Sequence, residues 1–228
     1  MTVWMNGHWL DAASVSVGDR GFALGDGLFE TIRVDRGVAL GLERHVARLG
    51  RSAELFGLGE PLMDIDLGEL IAQGAQIAGL DSAIARFSVS AGVSRRGLNR
   101  ASELELTRVL QVSERAPVAE HISLAISTIR RSPSSPAAGF KTLSYADNVL
   151  ARRQAQAAGA DMAMLLDTEG RVSGADCANV FWTVAGQLRT SALDCAVLPG
   201  TVRAAIVERL GARQVRGPLA DLVAADPV

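Results

Sequence analysis

The stretch Asp19-Arg20-Gly21-Phe22-Ala23-Leu24-Gly25-Asp26-Gly27 runs directly into Leu28-Phe29-Glu30-Thr31-Ile32-Arg33-Val34. Glycine and aspartate dominate the first part and mark a loop, because both accept turn conformations that other residues resist. The second part alternates apolar and polar residues at the two-residue period of a half-buried strand. Upstream, Thr2–Met5 and His8–Leu10 flank Asn6-Gly7, the pattern of a β-hairpin. Downstream, Val46, Leu49, Ala53 and Phe56 recur at three- and four-residue steps, which predicts an amphipathic helix from Leu42 to Leu58 with Gly57 as its stop. Asp64 or Asp66 can cap a second helix that runs to Ala78, and strands follow at Ile84–Ser90 and Leu106–Ser113 around an Arg95-Arg96-Gly97 loop.

The remaining sequence reads as a second half. Residues 116–122, around Pro117, form a short linker, and an alternating strand spans His121–Ser127. A Ser/Pro/Gly-rich loop, Ser132 to Gly139, leads to Phe140-Lys141-Thr142-Leu143, then to a helix over Tyr145–Ala158 ended by Gly159. Strands are predicted at Met162–Leu166, Arg171–Ser173 and Val180–Val184, the last two joined by a tight loop. Leu198-Pro199-Gly200-Thr201-Val202-Arg203 opens a final helix to Leu210. The fold class is therefore α+β in two halves, a smaller domain over 1–115 and a larger one over 123–228.

The 228 residues carry 23 basic and 25 acidic side chains, a net charge of −2, which removes the electrostatic case for nucleic-acid binding. Two cysteines, Cys177 and Cys195, are too few for a disulfide framework, and the three scattered histidines lack metal-ligand spacing. The chain has no apolar run of membrane-spanning length, and Met1-Thr2-Val3-Trp4-Met5-Asn6-Gly7 does not resemble a signal peptide, so a cytoplasmic protein is expected. One basic residue differs from the other 22: Lys141 is the only lysine. A drift of composition toward arginine would leave such a survivor by accident. Alternatively, Lys141 does what arginine cannot, since only a primary amine can lose its proton and form a Schiff base.

Judged singly, the other polar residues have two readings each. Gly200-Thr201-Val202 at a helix start offers N–H groups and a positive dipole end to a phosphate, or is an ordinary Pro-Gly turn. Arg48 could grip two phosphate oxygens or be a surface charge. Arg96 beside Gly97 could meet a substrate carboxylate or belong to a solvated loop, and Asn179 could simply cap a turn.

Taken in order, these segments resemble the class IV aminotransferases, the fold-type IV enzymes dependent on pyridoxal 5′-phosphate (PLP). The resemblance rests on Asp19-Arg20-Gly21-Phe22, Gly25-Asp26-Gly27-Leu28-Phe29-Glu30-Thr31 and His45-x-x-Arg48-Leu49 in the first half. In the second half it rests on Lys141-Thr142-Leu143-Ser144-Tyr145, Asn148, Gly159-Ala160-Asp161, Asn179-Val180-Phe181 and Leu198-Pro199-Gly200-x-x-Arg203. It implies a D-amino-acid aminotransferase-like, two-domain fold with the cofactor in a cleft between domains, and a homodimer with a partner loop at each site. Lys141 falls on the lysine that holds PLP as a Schiff base and shuttles protons. Arg48 falls on the phosphate-binding arginine, and Gly200, Thr201 and Val202 on the turn whose backbone amides hold the same phosphate. Tyr145 falls near a tyrosine beside the cofactor's phenolic oxygen, and Arg96 and Gly97 resemble the substrate-side loop of the aminodeoxychorismate lyase branch.

The sequence departs from the family pattern at the pyridine nitrogen. Members carry a glutamate five residues before the Asn-hydrophobic-Phe motif to keep that nitrogen protonated, and here the position is Gly174, with Ser173 and Asp176 nearby but out of register. Members also carry an acidic residue after Gly-Ala-Asp, where this chain has Met162, and continue past Ala225, whereas this chain stops at Val228. A protonated pyridine favours transamination, and some PLP enzymes with a neutral partner there catalyse eliminations. The resemblance therefore leads to an aminodeoxychorismate lyase-like enzyme that releases pyruvate and 4-aminobenzoate for folate synthesis, with Lys141 taking the α-proton and later returning one. A class IV aminotransferase of a small D- or L-amino acid and a degenerate, non-catalytic member remain as alternatives. No metal, nucleic acid or membrane partner is expected.

Overall fold

The structure, a computed structural model, describes residues 1–225. The chain end at Val228, on which the expectation of a short C-terminal domain rests, lies outside them. The described residues form two compact units: Met1–Pro117 with Lys141–Ser144, and Val118–Phe140 with the residues from Tyr145 onward. No described helix is long and apolar enough to cross a membrane.

The first unit begins with the expected hairpin, β1 (Thr2–Met5) and β2 (His8–Leu10), turned at Asn6 and Gly7 with φ of 45° and 99°. A short helix α1 (Arg20–Leu24) follows, an element the glycine-rich composition conceals; the Asp19 carboxylate caps it by accepting from the amides of Gly21 and Phe22. Then come β3 (Gly27–Asp35), β4 (Val38–Ala39), the helices α2 (Leu42–Phe56) and α3 (Leu67–Ala78), and the long strands β5 (Ser82–Ser90) and β6 (Thr107–Glu114). The strands make one antiparallel sheet in the order β2-β1-β6-β5-β3-β4. Of the two candidate caps for α3, Asp66 accepts from the Glu69 amide, while Asp64 sits in the preceding turn at φ 62°. Leu28, Ile32, Phe87, Val89, Leu110 and Val112 from the sheet, with Leu49, Ala53 and Ile71 from the helices, build a dry core.

Helix α2 has the expected span but a rotated buried face. His45, Arg48, Leu49, Ser52 and Ala53 are buried, whereas Val46 and Phe56 are only half-covered. His45 and Arg48 thus lie on the buried face although hydrophobic periodicity turns them toward solvent. They are tolerated because a buried carboxylate on β3 receives them, as described below.

Gly92, after β5, shows how tightly the loops are closed. Its φ is +72°, and an added β-carbon would lie 1.8 Å from the Glu105 carbonyl oxygen. Gly92→Ala therefore destabilises the protein by at least about 2 kcal/mol through left-handed strain and displacement of the 105 backbone. A urea titration checks this; an unchanged midpoint contradicts it.

The second unit holds β7 (Leu124–Arg131), a short 3-10 helix at Pro136–Gly139, α4 (Ala146–Ala157), β8 (Met162–Asp167), β9 (Val172–Ala175), β10 (Phe181–Val184), β11 (Gln187–Ser191), α5 (Thr201–Leu210), β12 (Arg213–Val215) and α6 (Leu219–Val223). Its strands form two three-stranded sheets, β7-β8-β9 and β10-β11-β12, each with one parallel and one antiparallel pairing. The expected strands at Arg171–Ser173 and Val180–Val184 are thus not neighbours but members of different sheets. The strand expected at His121–Ser127 begins at Leu124, its first residue paired with β8, because Ser123 is held by the Asp161 carboxylate at 2.7 Å and 2.6 Å instead. Small residues let α4 lie close on its sheet: Ala151 and Ala155 pack with Ala163 and Leu165. Trp182 packs with Met164, Leu166 and Val172.

Candidate functional site

Sequence order places Lys141 in the second half, yet Lys141–Ser144 joins the first unit. The reason is backbone pairing. The Phe29 amide donates to the Lys141 carbonyl at 2.8 Å, the Leu143 amide donates to the Gly27 carbonyl at 2.9 Å, and Leu28 bridges Thr142. Gly27 must be glycine here, since an added β-carbon would stand 2.3 Å from the Val89 carbonyl oxygen. This pairing sets the Lys141 ammonium 4.1 Å from the centroid of the Phe29 ring. The Arg86 guanidinium lies over the same ring at 3.6 Å, so two cations contact one aromatic ring. Arg86 went unread in the sequence because strand alternation alone gives a polar residue in β5 no role.

Arg48 is tied to the next residue of β3. Its Nε donates to Glu30 Oε1 at 2.8 Å and its Nη2 to Oε2 at 2.5 Å, a bidentate fork; His45 Nδ1 meets Oε2 at 2.7 Å. Glu30 is 1% exposed. Burial pushes its carboxyl upward, but the bonds from His45 and Arg48 outweigh that and hold it below the ordinary glutamate value. The cluster fixes the plane of the Arg48 guanidinium on the carboxylate of β3. A charged residue between Phe29 and the apolar Ile32 was the available signal for Glu30.

Arg96 and Gly97 lie in an exposed loop whose backbone, not its side chains, is anchored. The buried Arg20 donates from Nη1 to the Gly97 carbonyl at 3.1 Å and the Asn99 carbonyl at 3.2 Å, and from Nη2 to the Leu98 carbonyl at 3.0 Å. Its Nε donates to Asp26 at 2.7 Å, and Arg100 donates to the same carboxylate at 3.0 Å and 2.5 Å. Burial raises the Asp26 carboxyl, and the two arginines more than reverse this, keeping it below the usual aspartate range.

The remaining predicted residues belong to the second unit. Gly200 is the N-cap of the ten-residue α5, in extended conformation and with no side-chain cap bond, so Thr201 and Val202 open the helix with backbone amides suited to an anion. Asn179 organises this turn: its Nδ2 donates to the Leu198 carbonyl at 3.0 Å, and an added β-carbon on Gly200 would lie 2.0 Å from its Oδ1. Val202 is exposed, and Arg203 is buried and donates to the Ser191 carbonyl at 2.7 Å and to Gln214 at 2.8 Å, a structural tie. Tyr145, the only tyrosine, is the N-cap residue of α4 and lies in the field of the half-buried Arg131.

Gly174 sits buried in β9, where an added β-carbon would meet one atom, the Ala178 carbonyl oxygen at 3.1 Å. Both neighbours have partners of their own. Ser173 donates to the Ala196 carbonyl at 3.0 Å, and Asp176 accepts from Arg152 at 2.6 Å and 2.5 Å and from the Ala163 amide at 2.8 Å. Burial raises the Asp176 carboxyl, but Arg152 and the amide hold it low overall, as a structural ion pair.

The sequence profile of amino-transferase class IV matches residues 27–226. The chain belongs to this family. Among its class IV relatives, a protein of Methanocaldococcus jannaschii provisionally named a branched-chain-amino-acid aminotransferase is 32% identical over 99% of this chain and 82% of its own. The crystal structure of 4-amino-4-deoxychorismate lyase from Pseudomonas aeruginosa superposes with a TM-score of 0.82 at 30% identity, over 98% of this chain and 84% of that one. A hypothetical aminotransferase from Mycobacterium tuberculosis, solved in a PLP-bound form, has a TM-score of 0.83 at 26% identity, over 99% and 84% of the two chains. This member of the class IV family therefore has the fold-type IV architecture that its motifs imply.

Proposed function

We propose that the protein is a PLP-dependent lyase of 4-amino-4-deoxychorismate, yielding 4-aminobenzoate and pyruvate. The residues present fit the two ends of PLP that need fixed donors: an amine for the aldehyde at Lys141 and a guanidinium for the phosphate at Arg48; the family resemblance adds the start of α5 at Thr201 and Val202 for the phosphate. When bound, PLP would supply an electron sink for the carbon that bears the substrate amine. Lys141 then removes the proton from that carbon, the C–O bond to the enolpyruvyl group breaks, and the ring becomes aromatic. Lys141 returns the proton to the methylene carbon of the departing enolpyruvate, giving pyruvate. On the family resemblance, Tyr145 would serve the phenolic oxygen and Arg96 with Gly97 the substrate carboxylates.

The observation that carries the lyase reading is Gly174. Ser173 and Asp176 both have partners of their own, and Gly174 brings no carboxylate to the position where the family holds a proton on the pyridine nitrogen. That weakens the electron sink on which amino transfer depends more than elimination does. The M. jannaschii relative favours the other reading, a class IV aminotransferase. PLP-loaded protein separates the two: the lyase releases equimolar 4-aminobenzoate and pyruvate, whereas the aminotransferase converts its cofactor to the pyridoxamine form with an amino acid alone. Rapid conversion without pyruvate sinks the lyase reading. Borohydride trapping tests both, since the chain offers only Lys141 and the terminal amine for a covalent adduct.

A further inference from the structure

We propose that Arg20 is a positioning residue that shapes the Arg95–Asn99 loop for substrate. This rests on the reading above, in which Arg96 and Gly97 face the substrate carboxylates. Arg20 is 5% exposed, in the first turn of a five-residue helix, yet its guanidinium serves a segment more than seventy residues away. Three consecutive carbonyls, those of Gly97, Leu98 and Asn99, converge on its two terminal nitrogens at 3.0–3.2 Å, and Nη1 also reaches Ser94 Oγ at 3.4 Å.

Consecutive carbonyls of an extended segment point alternately to opposite sides, so bringing three to one cation requires a distorted backbone. Gly97 supplies the distortion at φ +125°, a conformation other residues rarely adopt. With the carbonyls turned inward, the side chains of Arg95, Arg96 and Leu98 are left exposed on the outside of the loop. The loop's shape is thus dictated by a buried cation rather than by contacts of its own side chains.

The clasp is also linked to the helix that carries Arg48. Asp26 accepts from both Arg20 and Arg100, and Arg100 Nη1 donates to the carbonyls of Phe56 at 2.6 Å and Gly57 at 3.1 Å, at the C-terminal end of α2. Lysine cannot take Arg20's place. Its point charge lacks the planar fork that reaches Asp26 on one edge and three carbonyls on the others.

The test compares PLP-loaded wild type with Arg20→Lys and Arg20→Gln, measuring pyruvate release and backbone hydrogen exchange. In both variants KM for 4-amino-4-deoxychorismate rises about 10- to 100-fold, the equivalent of losing one or two charge-assisted hydrogen bonds, while kcat stays within about threefold. Amides of residues 95–100 exchange at least about tenfold faster, and those of β3 and β5 keep their protection. In the Arg20→Ala protein, added guanidinium lowers KM again and methylammonium does not. Unchanged KM and unchanged exchange in Arg20→Lys overturn the assignment. So does a loss of protection across the whole sheet, or a kcat that falls with KM unmoved, since either makes Arg20 a general folding element. A wild type that releases no pyruvate refutes the lyase reading instead, and the exchange measurements still report whether the clasp holds the loop.

Discussion

Lys141→Arg eliminates turnover, lowering kcat/KM by about 10⁴-fold or more, while the protein stays folded. The variant keeps a cation where Lys141 packs over Phe29, and Arg86 already shows that a guanidinium fits over that ring. Stability changes by less than about 0.5 kcal/mol, as for other half-exposed replacements that conserve charge. Only the chemistry goes: a guanidinium neither condenses with an aldehyde nor accepts a proton at neutral pH. After borohydride, peptide mapping finds a pyridoxyl adduct on residue 141 in the wild type and none there in the variant. An active variant, or a wild type unlabelled at Lys141 in excess PLP, contradicts the role given to this residue.

The second large effect concerns Glu30. Glu30→Ala leaves the buried Arg48 guanidinium without its carboxylate, which costs about 3–5 kcal/mol, far more than the loss of a surface ion pair. The deficit depends on pH. Because the folded protein holds the Glu30 carboxyl below its ordinary value of 4.5, Glu30 contributes stability that is fully present above that value and is lost as pH falls through the folded value. Wild type and variant therefore converge in acid. The double variant Glu30→Leu/Arg48→Met recovers most of the stability, because apolar side chains of similar size often replace a buried pair without loss. It does not recover the cofactor: PLP affinity stays about 10- to 100-fold weaker, the worth of an arginine–phosphate contact, while affinity for unphosphorylated pyridoxal is unaffected. Urea midpoints at pH 7 and at a series of pH values below 4.5, with fluorescence titrations of both ligands, check all of these outcomes. A single variant as stable as the wild type contradicts the description of the cluster.

What could be read from the sequence follows from how local each signal is. The Asn6-Gly7 hairpin is evident because Asn and Gly are the residues that tolerate positive φ. The hairpin of β10 and β11 uses Ala185-Gly186, with φ of 50° and 73°, and alanine announces no such turn. Helix α2 is legible in length but not in rotation, because periodicity counts His45 and Arg48 as solvent-facing until Glu30 is known to lie opposite. Lys141, Arg48, Gly200 and Thr201 emerge from the order of the motifs. Arg20 lies within a motif too, but its work is done on carbonyls of a distant loop, a relation no spacing rule expresses.

The pairing of Lys141–Ser144 with the start of β3 also bears on how the chain reaches its native state. Leu28 and Thr142 are separated by most of the first unit and the opening segment of the second, so this contact carries a high closure entropy and forms only after the intervening chain has been made. The six-stranded sheet can assemble first from contacts within residues 1–117, and the lysine segment then docks onto its exposed end. Acquisition of the reactive amine thus follows assembly of this sheet, which delays cofactor capture until the first unit is in place.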